Sequence, residues 1–101
     1  MEQTNVSKNK AIRGYILRSL GRVTNQTILV RQISNALQAD GLIISPEISQ
    51  HIEYLREKGY IEICNAKTKT YNVFRDDGAI RLTAKGVDLL EGTIDDPGVD
   101  V

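Results

Sequence analysis

Apolar residues recur every three or four positions over the first half of the chain and every second position after that. From Lys8 onward, Ile12, Tyr15, Ile16, Leu20 and Val23 mark one face of a helix. Residues 1–7 are polar and aperiodic and are expected to form a flexible N-terminus. Gly21 is the expected stop. Thr27 is the expected N-cap of a second helix, because the pattern Ile28, Leu29, Ile33, Ala36, Leu37 begins directly after it. Asp40-Gly41 closes that helix. Leu42-Ile43-Ile44 reads as a short connecting strand. Ser45-Pro46-Glu47 then announces a third helix: serine to cap free N–H groups, proline for the first helical position, glutamate for the positive end of the dipole. Ile48, Ile52 and Leu55 are its buried stripe, and Gly59 ends it.

Beyond Gly59 the period falls to two. Tyr60 to Cys64 alternates, Thr70 to Phe74 alternates again, and Ala79 to Leu82 offers a further strand after the turn signal Asp76-Asp77-Gly78. Two long strands or three shorter ones fit equally. Thr83 caps a last helix with Val87 and Leu90 inward and Leu89 as a third candidate. Gly92 stops it, and residues 93–101 form an acidic C-terminal tail.

Composition narrows the class. With 101 residues the chain is one domain, and its 41% hydrophobic content is enough for a modest core. No apolar run approaches the ~18 residues of a membrane span, and residues 1–5 lack a signal-peptide pattern, so a cytoplasmic protein without membrane contact is expected. One cysteine, Cys64, excludes an intramolecular disulfide. One histidine, His51, excludes a His/Cys zinc cage within the chain. Neither residue has a nucleophile, base or Cys-x-x-Cys partner in a recognised arrangement. The Asp-Asp pairs lack metal-loop spacing, and there is no glycine-rich phosphate loop. No enzyme, cofactor or metal is therefore expected.

The formal net charge is zero, but it is unevenly laid out. Residues 1–39 carry six basic side chains and one acid, +5; residues 40–85 balance; residues 86–101 carry five acids and no base, −5. Either the basic segment is a phosphate-facing surface tempered by the tail, or both are solvated faces.

Three helices followed by a β-hairpin is an order that resembles the winged helix-turn-helix superfamily. Two junctions carry the likeness: Tyr54-Leu55-Arg56-Glu57-Lys58-Gly59-Tyr60-Ile61-Glu62, like a recognition helix ending at glycine before the first wing strand, and Arg81-Leu82-Thr83-Ala84-Lys85-Gly86, like the exit from the wing into a capped helix. The ending from Leu82 to Gly92, with Asp96-Pro97-Gly98-Val99 after it, is similar to small winged-helix proteins of Mu-like phages and prophages.

The resemblance implies an α+β fold over residues 8–92: a three-helix core, a β-hairpin wing and a C-terminal helix. It implies a transcriptional regulator that binds double-stranded DNA, with helix 46–58 in the major groove and wing 65–78 on the backbone or minor groove. The expected outward residues of that helix are Ser49, Gln50, Glu53 and Tyr54, with Ser45 before it and His51 at the margin. Gln50 can bond adenine bidentately, and Ser49 or Tyr54 can hold phosphate. Lys67, Lys69 and Arg75 are expected on the wing, and Arg31 and Asn35 as phosphate clamps on the preceding helix. Glu47, Glu53 and Glu57 oppose phosphate, which favours the alternative: a protein–protein interaction module of the same fold that leaves DNA alone. A homodimer through the first and last helices is also expected, since Tyr15, Leu17, Leu89 and Ile94 offer more apolar surface than so small a core needs.

Overall fold

The structure is a computed structural model that describes residues 2–23, 25, 27–45, 48–64 and 78–101. Those residues form a small α+β domain with four helices and a three-stranded antiparallel sheet: α1 (Glu2–Gly21), β1 (Thr27–Leu29), α2 (Val30–Ala39), α3 (Ser49–Glu57), β2 (Ile61–Ile63), β3 (Ala79–Leu82) and α4 (Ala84–Glu91). Sheet order is β1-β3-β2. Thr27 pairs with Arg81 and Leu29 with Ala79 on one side of β3; Ile61 pairs with Leu82 and Ile63 with Ile80 on the other.

β3 shows why these residues make a sheet. Ile80 and Leu82 are buried while Arg81 between them is exposed, the alternation of a strand with one face on a core. Helices supply the rest of that core through Ile16, Leu17 and Leu20 of α1, Ile33 and Leu37 of α2, and Ile52 and Leu55 of α3.

Several expected boundaries are corrected. Helix α1 begins at Glu2, six residues before the apolar periodicity does. Thr27 is no helix cap: Thr27–Leu29 is a strand, and α2 starts at Val30 after the extended Leu29 (φ −73°, ψ 138°). β3 would otherwise present an unpaired edge opposite β2, and strand edges are satisfied by whatever extended segment lies near. The turn into α2 is held by Leu29 N–H donating to Gln32 Oε1 (3.3 Å) and Val30 N–H to the Gly78 carbonyl (3.0 Å).

With that edge taken, Leu42–Ile44 is not a strand; Leu42 and Ile43 rest against the core and Ile44 is 94% exposed. α3 starts at Ser49, not Pro46, and its N-cap Ile48 provides no side-chain hydrogen bond. Pro46, Glu47 and the expected strand Thr70–Phe74 lie outside the described residues. In α4 it is Leu89 that is buried, while Val87 and Leu90 are half-buried.

The end of α3 follows expectation. Gly59 takes φ +83°, and Gly59 N–H bonds the Arg56 carbonyl while Tyr60 N–H reaches back to Leu55 (both 3.0 Å). This paired closure turns the chain directly into β2. Thr83 caps α4 as expected, accepting from Gly86 N–H (3.1 Å) and donating to the Gly59 carbonyl (2.5 Å), so one hydroxyl ties α4 to the end of α3.

Residues 93–100 pack against α1 and α3. Val99 and Asp96 are buried, Arg13 Nη1 donates to the Gly98 carbonyl (3.1 Å), Arg18 Nη1 to the Asp100 carbonyl (2.8 Å), and Asp100 N–H to the Lys10 carbonyl (3.1 Å). Gly14 is buried in mid-helix because a Cβ there would collide with the Asp100 carbonyl. Among the described residues no helix is long and apolar enough to cross a membrane.

Candidate functional site

α3 has an inner stripe of Ile48, His51, Ile52 and Leu55, all buried. Helical spacing places Gln50, Glu53 and Glu57 opposite it, with Ser49 and Arg56 on one shoulder. Gln50, Arg56 and Glu57 are exposed, and Ser49 and Glu53 are half-buried. Arg56 reaches back one turn to Glu53: Nε donates to Oε2 at 3.2 Å and Nη2 pairs with Oε1. The hydrogen bond it donates to Glu53 raises the Arg56 pKa. The ion pair neutralises one of the two glutamates on this face, so the described outward set is only mildly acidic.

Tyr54, expected to face outward, and His51, expected at the margin, both point elsewhere. His51 is 4% exposed, because its position falls on the inner side of the α3 wheel next to Ile52 and Leu55. Burial, and then the charge of Arg13, lower its pKa, so the imidazole is neutral near pH 7. Its Nδ1 has no hydrogen-bond partner.

Tyr54 lies on the flank toward α1. The Arg13 guanidinium stacks 3.6 Å from its ring centroid, and Gly98 passes so close to its hydroxyl that a Cβ could not fit. A ring covered by arginine and by residues 96–100 is not presented to a phosphate.

Of the remaining expected residues, Ser45 is exposed before α3, and Arg31 and Asn35 are exposed one turn apart on α2. Lys67, Lys69 and Arg75 lie outside the described residues; the strands on either side of them, β2 and β3, are paired. The residues that suggested a dimer are absorbed within the chain: Leu17 and Leu89 are buried, and Tyr15 and Ile94 pack against the same core.

A polar cluster that sequence reasoning missed sits where residues 93–100 meet α3 and β2. Asp96 accepts from the Tyr60 hydroxyl (2.6 Å) and from Gly98 N–H (2.8 Å), with Lys58 Nζ at 3.5 Å. Burial alone would raise the Asp96 pKa; the bonds from Tyr60 and Gly98 and the Lys58 charge outweigh it and hold the carboxyl below its ordinary range. Burial, reinforced by Asp96, pushes the Tyr60 phenol up to about 12. The whole +5 front segment is thus not an open cationic face. Arg13 and Arg18 are spent on carbonyls of 98 and 100, much as Lys58, further along, is on Asp96. Gly14, a glycine in mid-helix, was the one visible hint.

Among the described residues no cluster of His, Cys, Asp or Glu could hold a metal ion. Comparison with known proteins finds no family model, no curated protein and no solved structure that matches the chain.

Proposed function

We propose that the chain is a winged-helix DNA-binding protein of the transcriptional-regulator type, with α3 entering the major groove and segment 65–78 meeting the backbone or minor groove. The observation that carries this reading is the placement of α3: its apolar stripe is buried, Gln50, Arg56 and Glu57 on the opposite side are exposed, and it runs through Gly59 straight into the β2–β3 pair. The sheet order β1-β3-β2, with β1 inserted between the first two helices, is compatible with a winged-helix layout. Gln50 is the base-reading residue in this account, and Arg31, Lys67, Lys69 and Arg75 neutralise phosphates.

Fluorescence-anisotropy titration against duplex DNA fragments over a range of salt concentrations tests it. Affinity should fall steeply with salt, and each of Lys67→Ala and Lys69→Ala should lower the salt slope by about 1. Gln50→Ala should change sequence preference rather than the slope. No measurable affinity at low salt, or affinity indifferent to salt, refutes the proposal.

One observation favours a second reading, a protein-interaction module. Glu57 stands exposed on the α3 face and Arg56 is already engaged by Glu53, so the described part of that face carries no surplus positive charge. Under this reading a co-purifying partner is lost on Glu57→Arg, the same change that should strengthen DNA binding under the first.

A further inference from the structure

Residues 93–100 hold on to the rest of the chain in two unequal parts. Asp96 is the anchor, its buried carboxylate accepting from the Tyr60 hydroxyl and Gly98 N–H with Lys58 beside it. Residues 98–100 lie over α1 and are held there mainly by backbone atoms. The Gly98 carbonyl accepts from Arg13, the Asp100 carbonyl from Arg18, and Asp100 N–H donates to the Lys10 carbonyl. Val99, which also donates its N–H to the Asp96 carbonyl, is the one side chain of this stretch that is buried.

The two arginines are poorly matched to this cover. A guanidinium is a fork of five donors suited to a charged, two-oxygen acceptor. The acceptor facing each of them is a neutral carbonyl. Arg13 Nε is buried and has no hydrogen-bond partner. A sealed donor without an acceptor is destabilising, so seating residues 98–100 leaves Arg13 incompletely paired. A phosphate supplies the charge and the second oxygen that a carbonyl lacks.

Placement gives the mismatch a use. Arg13 stacks 3.6 Å from the ring centroid of Tyr54, and Tyr54 lies one turn from both Gln50 and Glu57 on α3. The cover over the arginines therefore begins where the exposed face of α3 ends, and the exposed Asp100 adds a negative charge to it. We propose that residues 98–100 are a flap that withholds Arg13 and Arg18 from the DNA backbone, and that a bound duplex displaces it while Asp96 stays anchored. The chain pivots at Gly98, and no helix has to break. This rests on the DNA reading and extends its phosphate contacts to α1.

Hydrogen exchange and salt-dependent anisotropy on the full chain test the flap. Bound duplex should speed exchange of the Asp100 amide, which the Lys10 carbonyl protects in the closed form. Arg18→Ala should lower the salt slope of DNA binding by about 1, the loss of one phosphate contact. Neither reading needs a change at Gly14. Gly14→Ala, whose Cβ would push Asp100 off α1, should bind DNA roughly tenfold tighter at an unchanged slope, because the ligand no longer has to drive the opening. Salt-dependent DNA binding with unchanged Asp100 exchange, with the parental slope in Arg18→Ala, or with parental affinity in Gly14→Ala overturns the flap and leaves the DNA reading standing. Inorganic tripolyphosphate separates the reverse case. If the chain binds no duplex, tripolyphosphate should still speed Asp100 exchange and bind Gly14→Ala more tightly than the parent; equal binding by the two chains ends the flap together with the DNA reading.

Discussion

Replacing Gly14 by alanine should reverse the usual sign of that substitution. In an exposed helix interior, glycine to alanine stabilises by roughly 1 kcal/mol, because alanine loses less backbone entropy and has the best helix propensity. Gly14 is in mid-helix but buried, and an added Cβ would collide with the Asp100 carbonyl, a backbone atom that can move only if residues 98–100 move with it. Displacing them breaks two hydrogen bonds, Asp100 N–H to the Lys10 carbonyl and Arg18 to the Asp100 carbonyl. It also exposes part of Val99, which is 5% exposed. At ~1 kcal/mol per bond and ~1–1.5 kcal/mol for the valine, the loss exceeds the propensity gain by about 1–3 kcal/mol. Urea denaturation reads this as a lower midpoint, and thermal melting as a fall of roughly 4–8 °C per kcal/mol for a domain of this size. Gly21→Ala is the control. Gly21 is exposed at the end of α1, its Cβ would meet only the flexible Leu90 side chain, and it should lie within ~0.5 kcal/mol of the parent. Gly14→Ala as stable as the parent, or more so, would refute the account of residues 93–100 as a built contact.

Tyr60→Phe removes the donor from a buried carboxylate and should cost ~1.5–3 kcal/mol, measured by urea titration at neutral pH. Because the folded Asp96 titrates below its ordinary range, its contribution is present above about pH 4 and is lost as pH falls through the folded value; Asp96→Asn should flatten that acid limb of the stability profile. The phenol of Tyr60, raised to about 12, adds stability that is complete below pH 10 and is lost as pH climbs toward 12, a limb that Tyr60→Phe abolishes. Thr83→Ala should cost ~1–2 kcal/mol through the lost α4 cap and the bond to Gly59, read as a thermal shift. Arg56→Ala, which breaks an exposed pair, should change stability by less than ~1 kcal/mol.

Features that act through side-chain pattern or backbone freedom were legible in the sequence. The end of α3 at Gly59 and the cap at Thr83 are local events, decided by residues within one turn. Strand β1 was not legible, because Thr27–Leu29 is extended for the sake of an edge contributed by residues 79–81, some fifty positions away. The same holds for the start of α3, where Ser45-Pro46-Glu47 carries every local signal of a helix start and the helix begins at Ser49. Tyr54 was read as outward from the spacing of α3 alone. Its true surroundings come from Arg13 and Gly98, each on another segment. The docking of 93–100 was hidden for a further reason. Its main contacts run to the carbonyls of Lys10, Gly98 and Asp100, and a carbonyl leaves no mark in a sequence of side chains.

Those contacts also bear on how the molecule is made. Arg13 and Gly98 are 85 positions apart, and Arg18 and Asp100 are 82 apart. On a ribosome adding roughly 5–20 residues per second, α1 emerges several seconds before its partners exist. Throughout that interval the helix carries a bare seam around Gly14 that only the late-arriving segment can seal. That seam of α1 therefore stays open until residues 98–100 have been added, more than 80 positions after it.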